Sequence, residues 1–163
     1  TDTGKVDRMD GIYVGIRRIV TAAAGVSVPI PSHGRFPVHV IPSYYAAKAA
    51  KFIARHPDAE GGTFHLTDPL PLTAHKFFDA VADAAGRPRP KVFLPGGVAR
   101  RVLHLPGIRT LARDEATFVE WLDAEVLFDR TAADRILAPS GLVCPKVRSY
   151  VDVLVRFVRD RAA

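Results

Sequence analysis

The sequence predicts an α/β fold, mostly helical with a few short strands, built as one unit over residues 1–163. In several segments apolar residues recur at the three-to-four-residue spacing of amphipathic helices. Between them stand short runs rich in β-branched and aromatic residues, bounded by glycine and proline. Because strands alternate with helices and no repeat interrupts them, we expect α/β or α+β layers around a single core.

Helix one is predicted over residues 11–24, where isoleucine and valine recur at helical spacing before Gly25. A loop then leads to a short strand at 37–41, and helix two is predicted from Pro42 and Ser43 to near Arg55, with Ser43 as its cap. Residues 63–67 are β-rich and lie between Gly62 and an Asp-Pro turn, which predicts a buried strand.

Helix three has the clearest start and stop signals. Thr73 is a good N-cap residue, and Gly86 stands where a C′ glycine belongs. Between them Phe77 and Phe78 belong to an apolar face. We therefore predict a helix over residues 74–85.

The second half of the chain begins with a proline-rich run, 87–95, in which each proline disfavours a helical conformation for the residue before it. This run is predicted as an edge strand. Beyond it the pattern predicts short helices at 98–105 and 114–123, a strand at 125–128, a short helix at 131–137 and an amphipathic closing helix at 147–161.

Composition and charge restrict the class of protein. The chain is 48% hydrophobic and 25% charged, which is enough for one core. No apolar run reaches the roughly 20 residues that a membrane span needs, so no transmembrane segment is expected. A single cysteine, Cys144, indicates a reducing, cytoplasmic setting. The net charge of +6 is dispersed, which disfavours nucleic acid as the partner and suits a phosphate-bearing ligand.

Few side chains point to chemistry by spacing alone. Tyr44 and Lys48 stand four residues apart, as in acid–base pairs, but the chain has no glycine-rich nucleotide turn, so we predict a packed tyrosine beside a solvated lysine. The six histidines show no ligand spacing, and His65 is expected to bond a protein partner rather than a metal. Cys144 is expected to be a buried structural thiol.

Four stretches carry a recognisable pattern in a fixed order. They are residues 1–13 (TDTGKVDRMDGIY), 40–49 (VIPSYYAAKA), 62–73 (GTFHLTDPLPLT), and a closing set of Phe128-Asp129, 141–145 (GLVCP) and Ser149-Tyr150. Together they resemble the C-terminal half of extended short-chain dehydrogenases/reductases. The subgroup they resemble contains the NAD-dependent epimerase/dehydratase and the male-sterility (fatty acyl-CoA reductase-like) enzymes.

The resemblance implies hydride transfer between NAD or NADP and a carbonyl or hydroxyl carbon. It places the nucleotide fingerprint and the catalytic Tyr-x-x-x-Lys pair in an N-terminal Rossmann half that this chain lacks. The chain would then be a fragment, the substrate-side portion, which is not competent alone because catalysis requires the reacting groups to be held together. The expected partners are its own N-terminal half and a small-molecule substrate of acyl, lipid-like, sugar-nucleotide or sterol type.

From the resemblance we expect no catalytic residue in this chain, and five substrate-lining positions. Asp7, Asp10 and Tyr13 belong to the loop that leads into helix one, and Arg35 and His39 lie just before and on the short strand. The alternative is a non-catalytic binding or assembly module that uses the basic surface.

Overall fold

The computed structural model describes residues 6, 8–30, 33–93 and 126–162. In these ranges the chain is mostly helical, as predicted, with five α-helices, three short 3-10 helices and one two-stranded sheet. The α-helices are α1 Ile12–Thr21, α2 Ser43–Ile53, α3 Ala74–Ala85, α4 Thr131–Leu137 and α5 Val151–Ala162. The strands are β1 Pro37–Val38 and β2 Leu72–Thr73, and the 3-10 helices are Pro57–Ala59, Ala138–Ser140 and Val147–Ser149.

The larger hydrophobic cluster lies among α1, α3 and α5, each of which contacts the other two. All three helices have an apolar face that they bury, which is the expected packing of amphipathic helices. Ile16 from α1, Phe77 from α3 and Val158 from α5 are completely buried at its centre. This three-helix cluster supplies most of the apolar burial that stabilises the fold.

A smaller hydrophobic cluster lies between α2 and α4. Tyr45, Ala49 and Ile53 follow one another at a spacing of four residues and form the buried face of α2. They pack against Ile136 and Leu137 of α4, with Cys144 in the same cluster. The described interior therefore contains two separate apolar clusters.

The small sheet lies at the start of α3. β1 and β2 pair antiparallel, with Pro37 opposite Thr73 and Val38 opposite Leu72. The carbonyl oxygen of Phe36 accepts from the backbone N–H of Ala74 at 3.0 Å. Because the first N–H groups of a helix have no partner inside it, this loop stabilises the start of α3 from outside.

The prediction for helix three is confirmed at both ends. The Thr73 hydroxyl accepts from the Lys76 N–H at 3.4 Å, and Gly86 has the left-handed φ of 64° that a C′ glycine supplies. The short helix at 131–137 is also confirmed. Ser43, however, is not a cap: the cap residue is Pro42, and no side-chain bond closes the start of α2.

Two of the predicted helices have different bounds. Helix one ends at Thr21, before the expected Ala24. The closing helix begins as the 3-10 helix Val147–Ser149 and becomes α-helical only after Tyr150. Tyr150, between the two, has a non-helical φ of -137°; its side chain is buried and its hydroxyl is bonded to Val40.

The strand predictions are mostly wrong. The strand at 37–41 has two residues, and 63–67 and 126–128 are irregular. In the run at 87–95, the described part contributes one parallel bridge, from Phe93 to Ile30. A β-prone run forms a strand only where a neighbouring strand accepts its hydrogen bonds, and the described residues offer one only at β1–β2. The predicted helices at 98–105 and 114–123 lie outside the described residues.

The helices of the described ranges are short compared with a membrane span. None of them is long and apolar enough to cross a bilayer. The longest are α3 and α5, with 12 residues each. A crossing needs about 20 apolar residues.

Candidate functional site

Four of the five predicted substrate-lining residues can be placed; Asp7 lies outside the described residues. Asp10 is exposed and forms an ion pair with Arg8, with 3.5 Å between the Asp10 Oδ2 and Arg8 Nε atoms. Arg35 is exposed in the loop before β1. In the described part of the chain no hydrogen bond or ion pair joins Asp10, Arg35 or His39 to another of these three.

Tyr13 lies on α1, half-buried against α5. Its ring meets that of Phe157 edge-on, with 6.4 Å between the ring centroids. Burial raises the pKa of Tyr13 above its ordinary value. The residue is thus part of the packing between two helices, as well as a candidate lining residue.

His39 is the predicted site residue with the most specific surroundings. Its Nε2 atom lies 3.1 Å from the carbonyl oxygen of Val126, and its ring contacts Phe128 edge-on at a centroid distance of 5.3 Å. Because a carbonyl oxygen only accepts, the His39 Nε2–H must be the donor. His39 therefore holds a segment that lies 87 residues further along the chain.

His65 holds the same segment. Its Nδ1 atom lies 3.1 Å from the Asp129 carbonyl oxygen, and its ring centroid is 5.4 Å from that of Phe128. The prediction that His65 bonds a protein partner is confirmed. We call residues 126–130, which both histidines bond, the bridging segment.

Arg130 closes the bridging segment with two charged hydrogen bonds. One guanidinium nitrogen donates to the carbonyl oxygen of Thr67 at 2.7 Å, and the other donates to the carboxylate of Asp134 at 2.6 Å. Only 12% of the Arg130 side chain is exposed. Arg130 therefore joins the segment that follows α2 to the first turn of α4.

The carboxylate of Asp129 orders the start of α4. It accepts from the N–H of Thr131 at 2.8 Å and from the Thr131 hydroxyl at 2.7 Å. These bonds, the hydroxyl bond above all, lower the pKa of Asp129 because they stabilise its charged form. The Asp129 side chain therefore acts as a structural acceptor, and its backbone oxygen is used by His65.

Tyr150 connects α5 to the residues after β1. Its hydroxyl donates to the carbonyl oxygen of Val40 at 3.0 Å, and the side chain is buried. Burial is the main cause that raises the pKa of Tyr150, and the nearby Asp68 carboxylate adds to the effect. Asp68 itself is buried, and its Oδ1 accepts from the N–H of Leu70 at 2.9 Å.

Three buried polar atoms around the bridging segment have no hydrogen-bond partner among the described residues. They are His39 Nδ1, Thr67 Oγ1 and Arg130 Nε. The Arg130 Nε–H offers a donor, the Thr67 hydroxyl can donate and accept, and the role of the His39 Nδ1 atom depends on the tautomer of its ring. Buried polar groups are usually satisfied, so this cluster is the best candidate for binding a ligand hydroxyl or carbonyl.

Sequence reasoning identified His39 and missed Thr67 and Arg130. Thr67 belongs to the H-L-T-D run and Arg130 directly follows Phe128-Asp129, so both lie in or next to the motifs that carry the resemblance. The hydrogen bond that joins them, from the Arg130 guanidinium to the Thr67 carbonyl oxygen, connects residues 63 positions apart. Neither residue has a local spacing that would mark it.

The Tyr44/Lys48 pair lies on the outer face of α2. The Lys48 ammonium is 5.7 Å from the centroid of the Tyr44 ring, and Tyr44 is 43% exposed. The expected packing of this tyrosine is therefore wrong: the packed residue is its neighbour Tyr45, which is 4% exposed. Position 45 faces inward with Ala49 and Ile53, so position 44 faces solvent.

Comparisons with protein-family models, curated proteins and solved structures find no match to this chain. Within the described ranges, no group of three or more histidine, cysteine, aspartate or glutamate side chains is arranged to hold a metal ion. The side chains around the bridging segment offer hydrogen bonds and one cation, Arg130, that is mostly buried.

The thiol of Cys144 predicts an alkaline loss of stability. Burial, with the Asp68 carboxylate nearby, raises the pKa of Cys144 to about 11 from an ordinary value of 9.0. Between these values the unfolded chain releases the thiol proton and the folded chain keeps it, so the free energy of unfolding falls as pH rises. Between pH ~9 and pH ~11, we expect the free energy of unfolding of the Cys144→Ala variant to fall by about 1–3 kcal/mol less than that of the unsubstituted chain.

The measurement is urea denaturation of both chains at several pH values from neutral to alkaline. At neutral pH the variant reports only the effect of the smaller side chain, because the thiol is protonated in both states. Besides burial, the Cys144 charge also raises the pKa of Tyr45 and of Tyr150, so the comparison reports the thiol together with its effect on these two tyrosines. The prediction would be contradicted if the free energy of unfolding fell with pH at the same rate in the two chains over the alkaline range.

Proposed function

We propose that this chain is the substrate-side part of an NAD- or NADP-dependent oxidoreductase of the extended short-chain dehydrogenase/reductase type. In this proposal a Rossmann domain binds the nucleotide and supplies the catalytic groups. The present chain supplies one wall of the substrate pocket. The reaction is hydride transfer at a carbonyl or hydroxyl carbon of the substrate.

The resembling motifs support the proposal because they meet in space. Tyr150 of the closing motif bonds Val40 of the second motif, 110 residues away. Asp129 of the closing motif bonds His65 of the third motif, 64 residues away.

The observation that carries the proposal is a β-prone run that has no strand partner among the described residues. In the described structure no backbone–backbone hydrogen bond involves residues 63–67. Next to this run, Val126, Leu127 and Phe128 are consecutive exposed apolar side chains, and Leu127 is 79% exposed. Unpaired backbone groups beside exposed apolar side chains are the features by which a strand joins a neighbouring sheet. A Rossmann sheet would supply hydrogen bonds to the backbone and cover the apolar side chains.

The test uses hydrogen–deuterium exchange of this chain alone and of the full-length gene product. We expect the amides of residues 63–67 to exchange rapidly in the chain alone and to be protected in the full-length product. The amides of α3 should be protected in both and serve as the internal control. Equal exchange of residues 63–67 in the two samples would overturn the proposal.

Cofactor binding gives a second measurement on the same two samples. Titration with NADH and NADPH, followed by nucleotide fluorescence, should show binding to the full-length product and none to this chain alone. The full-length sequence should contain a glycine-rich βαβ turn and a Tyr-x-x-x-Lys pair. Nucleotide binding to the isolated chain, or a full-length product without that turn, would contradict the assignment of roles.

A further inference from the structure

A pocket at the C-terminal end of α2 combines apolar and cationic walls. Its volume is about 440 Å³, within the range of small-molecule sites. The apolar lining consists of Phe52, Pro57 and Leu142, and the Phe52 ring lies 6.2 Å from the ring of His56 at a tilt of 41°. The surface is therefore suited to a flat or chain-like apolar body.

The remaining wall is basic. Lys48, Lys51, Arg55 and His56 line the pocket, and among the described residues no carboxylate does. Lys48 and Lys51 stand three residues apart on α2, and Arg55 follows just after the helix ends. All three line the same pocket, so their charges repel one another. An anion bound among them would relieve this repulsion.

The basic side chains of the pocket differ in how far they are already engaged. Lys48 lies over the Tyr44 ring, and the His56 Nδ1 accepts from the N–H of Asp58 at 3.3 Å. Lys51 and Arg55 are exposed, and their side chains form no hydrogen bond or ion pair within the described ranges. These two side chains are therefore the ones available to a ligand.

We propose that this pocket binds an amphipathic anion, a carboxylate or phosphate monoester attached to an apolar body. The head group contacts Lys51 and Arg55, whose charged hydrogen bonds are the stronger kind. The apolar body lies along Phe52, Pro57 and Leu142. The pocket shares no lining residue with the cluster around the bridging segment, so the proposal goes beyond the proposed oxidoreductase function and does not depend on it.

The first experiment is an NMR titration of the labelled chain with octanoate and with octyl phosphate, which distinguishes the two head groups. We expect at least one of them to shift the amide signals of residues 51–57 and 140–142 in a saturable way. Inorganic phosphate and octyltrimethylammonium, each lacking one half of the ligand, should leave these signals in place. No shift with either alkyl anion, or equal shifts with inorganic phosphate, would overturn the proposal.

The second experiment reverses the charge of the two available cations. The double variant Lys51→Glu, Arg55→Glu should weaken binding of the alkyl anion by about tenfold or more. The matched control is Lys146→Glu, Arg156→Glu, which makes the same change in net charge at exposed positions outside the pocket. Unchanged affinity in the first variant, or an equal loss in the control, would overturn the proposal.

Phe52 tests the apolar half of the pocket separately. Phe52→Gln should weaken binding of octyl phosphate by about tenfold, since it removes apolar contact with the alkyl chain. Because Phe52 also packs against the smaller cluster, circular dichroism must first show native helix content. Should this variant unfold, the neutral double variant Lys51→Gln, Arg55→Gln tests the head group without touching the core, and unchanged affinity there would overturn the proposal.

Discussion

Replacing Phe77 by alanine is expected to lower the free energy of unfolding by about 3–5 kcal/mol, the usual cost of deleting a buried ring. Phe77 is completely buried in the larger cluster and meets Phe78 edge-on, with 5.2 Å between the ring centroids. The alanine variant would lose these contacts and leave a cavity between α3 and its neighbours. Urea denaturation followed by circular dichroism measures the change.

Two control variants separate burial from other causes. Phe77→Leu keeps most of the volume, so it should cost clearly less, about 1–2 kcal/mol. Val143→Ala alters a side chain that is 82% exposed and should change stability by less than about 0.5 kcal/mol. A loss below about 1 kcal/mol for Phe77→Ala would mean that the described core is wrong.

Replacing Arg130 by alanine is expected to lower the free energy of unfolding by about 2–3 kcal/mol. The variant leaves the Thr67 carbonyl without its donor and removes one of the links between the bridging segment and residues 62–68, the other being the bond from His65 to Asp129. The ion pair with Asp134 contributes little of this loss, because the Asp134 carboxylate is 57% exposed and screened by water. Chemical denaturation again gives the measurement.

Arg135→Ala is the matched control for the Arg130 variant. Arg135 lies on α4, the helix that Arg130 precedes; it is exposed, and its side chain forms no hydrogen bond or ion pair in the described part of the chain. We expect it to change stability by less than about 0.5 kcal/mol. Equal losses for the two arginine variants would show that the bonds of Arg130 do not stabilise the fold.

The sequence was sufficient to predict those helices whose ends are marked by local capping residues. α3 begins at a threonine cap and ends at a left-handed glycine, and both signals lie within one turn of the helix. The start of α5 could not be predicted in this way. It follows Tyr150, whose backbone is not helical and whose hydroxyl bonds Val40, and no local pattern encodes a contact across 110 residues.

Strands and the candidate site were less predictable because both depend on distant partners. The run at 63–67 has strand propensity, yet propensity alone cannot supply the neighbouring strand that its backbone needs. His39 was identified through the resemblance, but its contact with the bridging segment required the folded structure. Arg130 was missed because a single arginine after Phe128-Asp129 has no distinguishing spacing.

The division of the apolar interior into two clusters has a consequence for native-state opening. The three-helix cluster of α1, α3 and α5 and the smaller cluster of α2 and α4 bury separate sets of side chains. Such units can open in separate sub-global steps, the smaller at the lower free energy. Because the anion pocket borders α2, an occupant would raise the opening free energy of that unit and leave the three-helix unit unchanged.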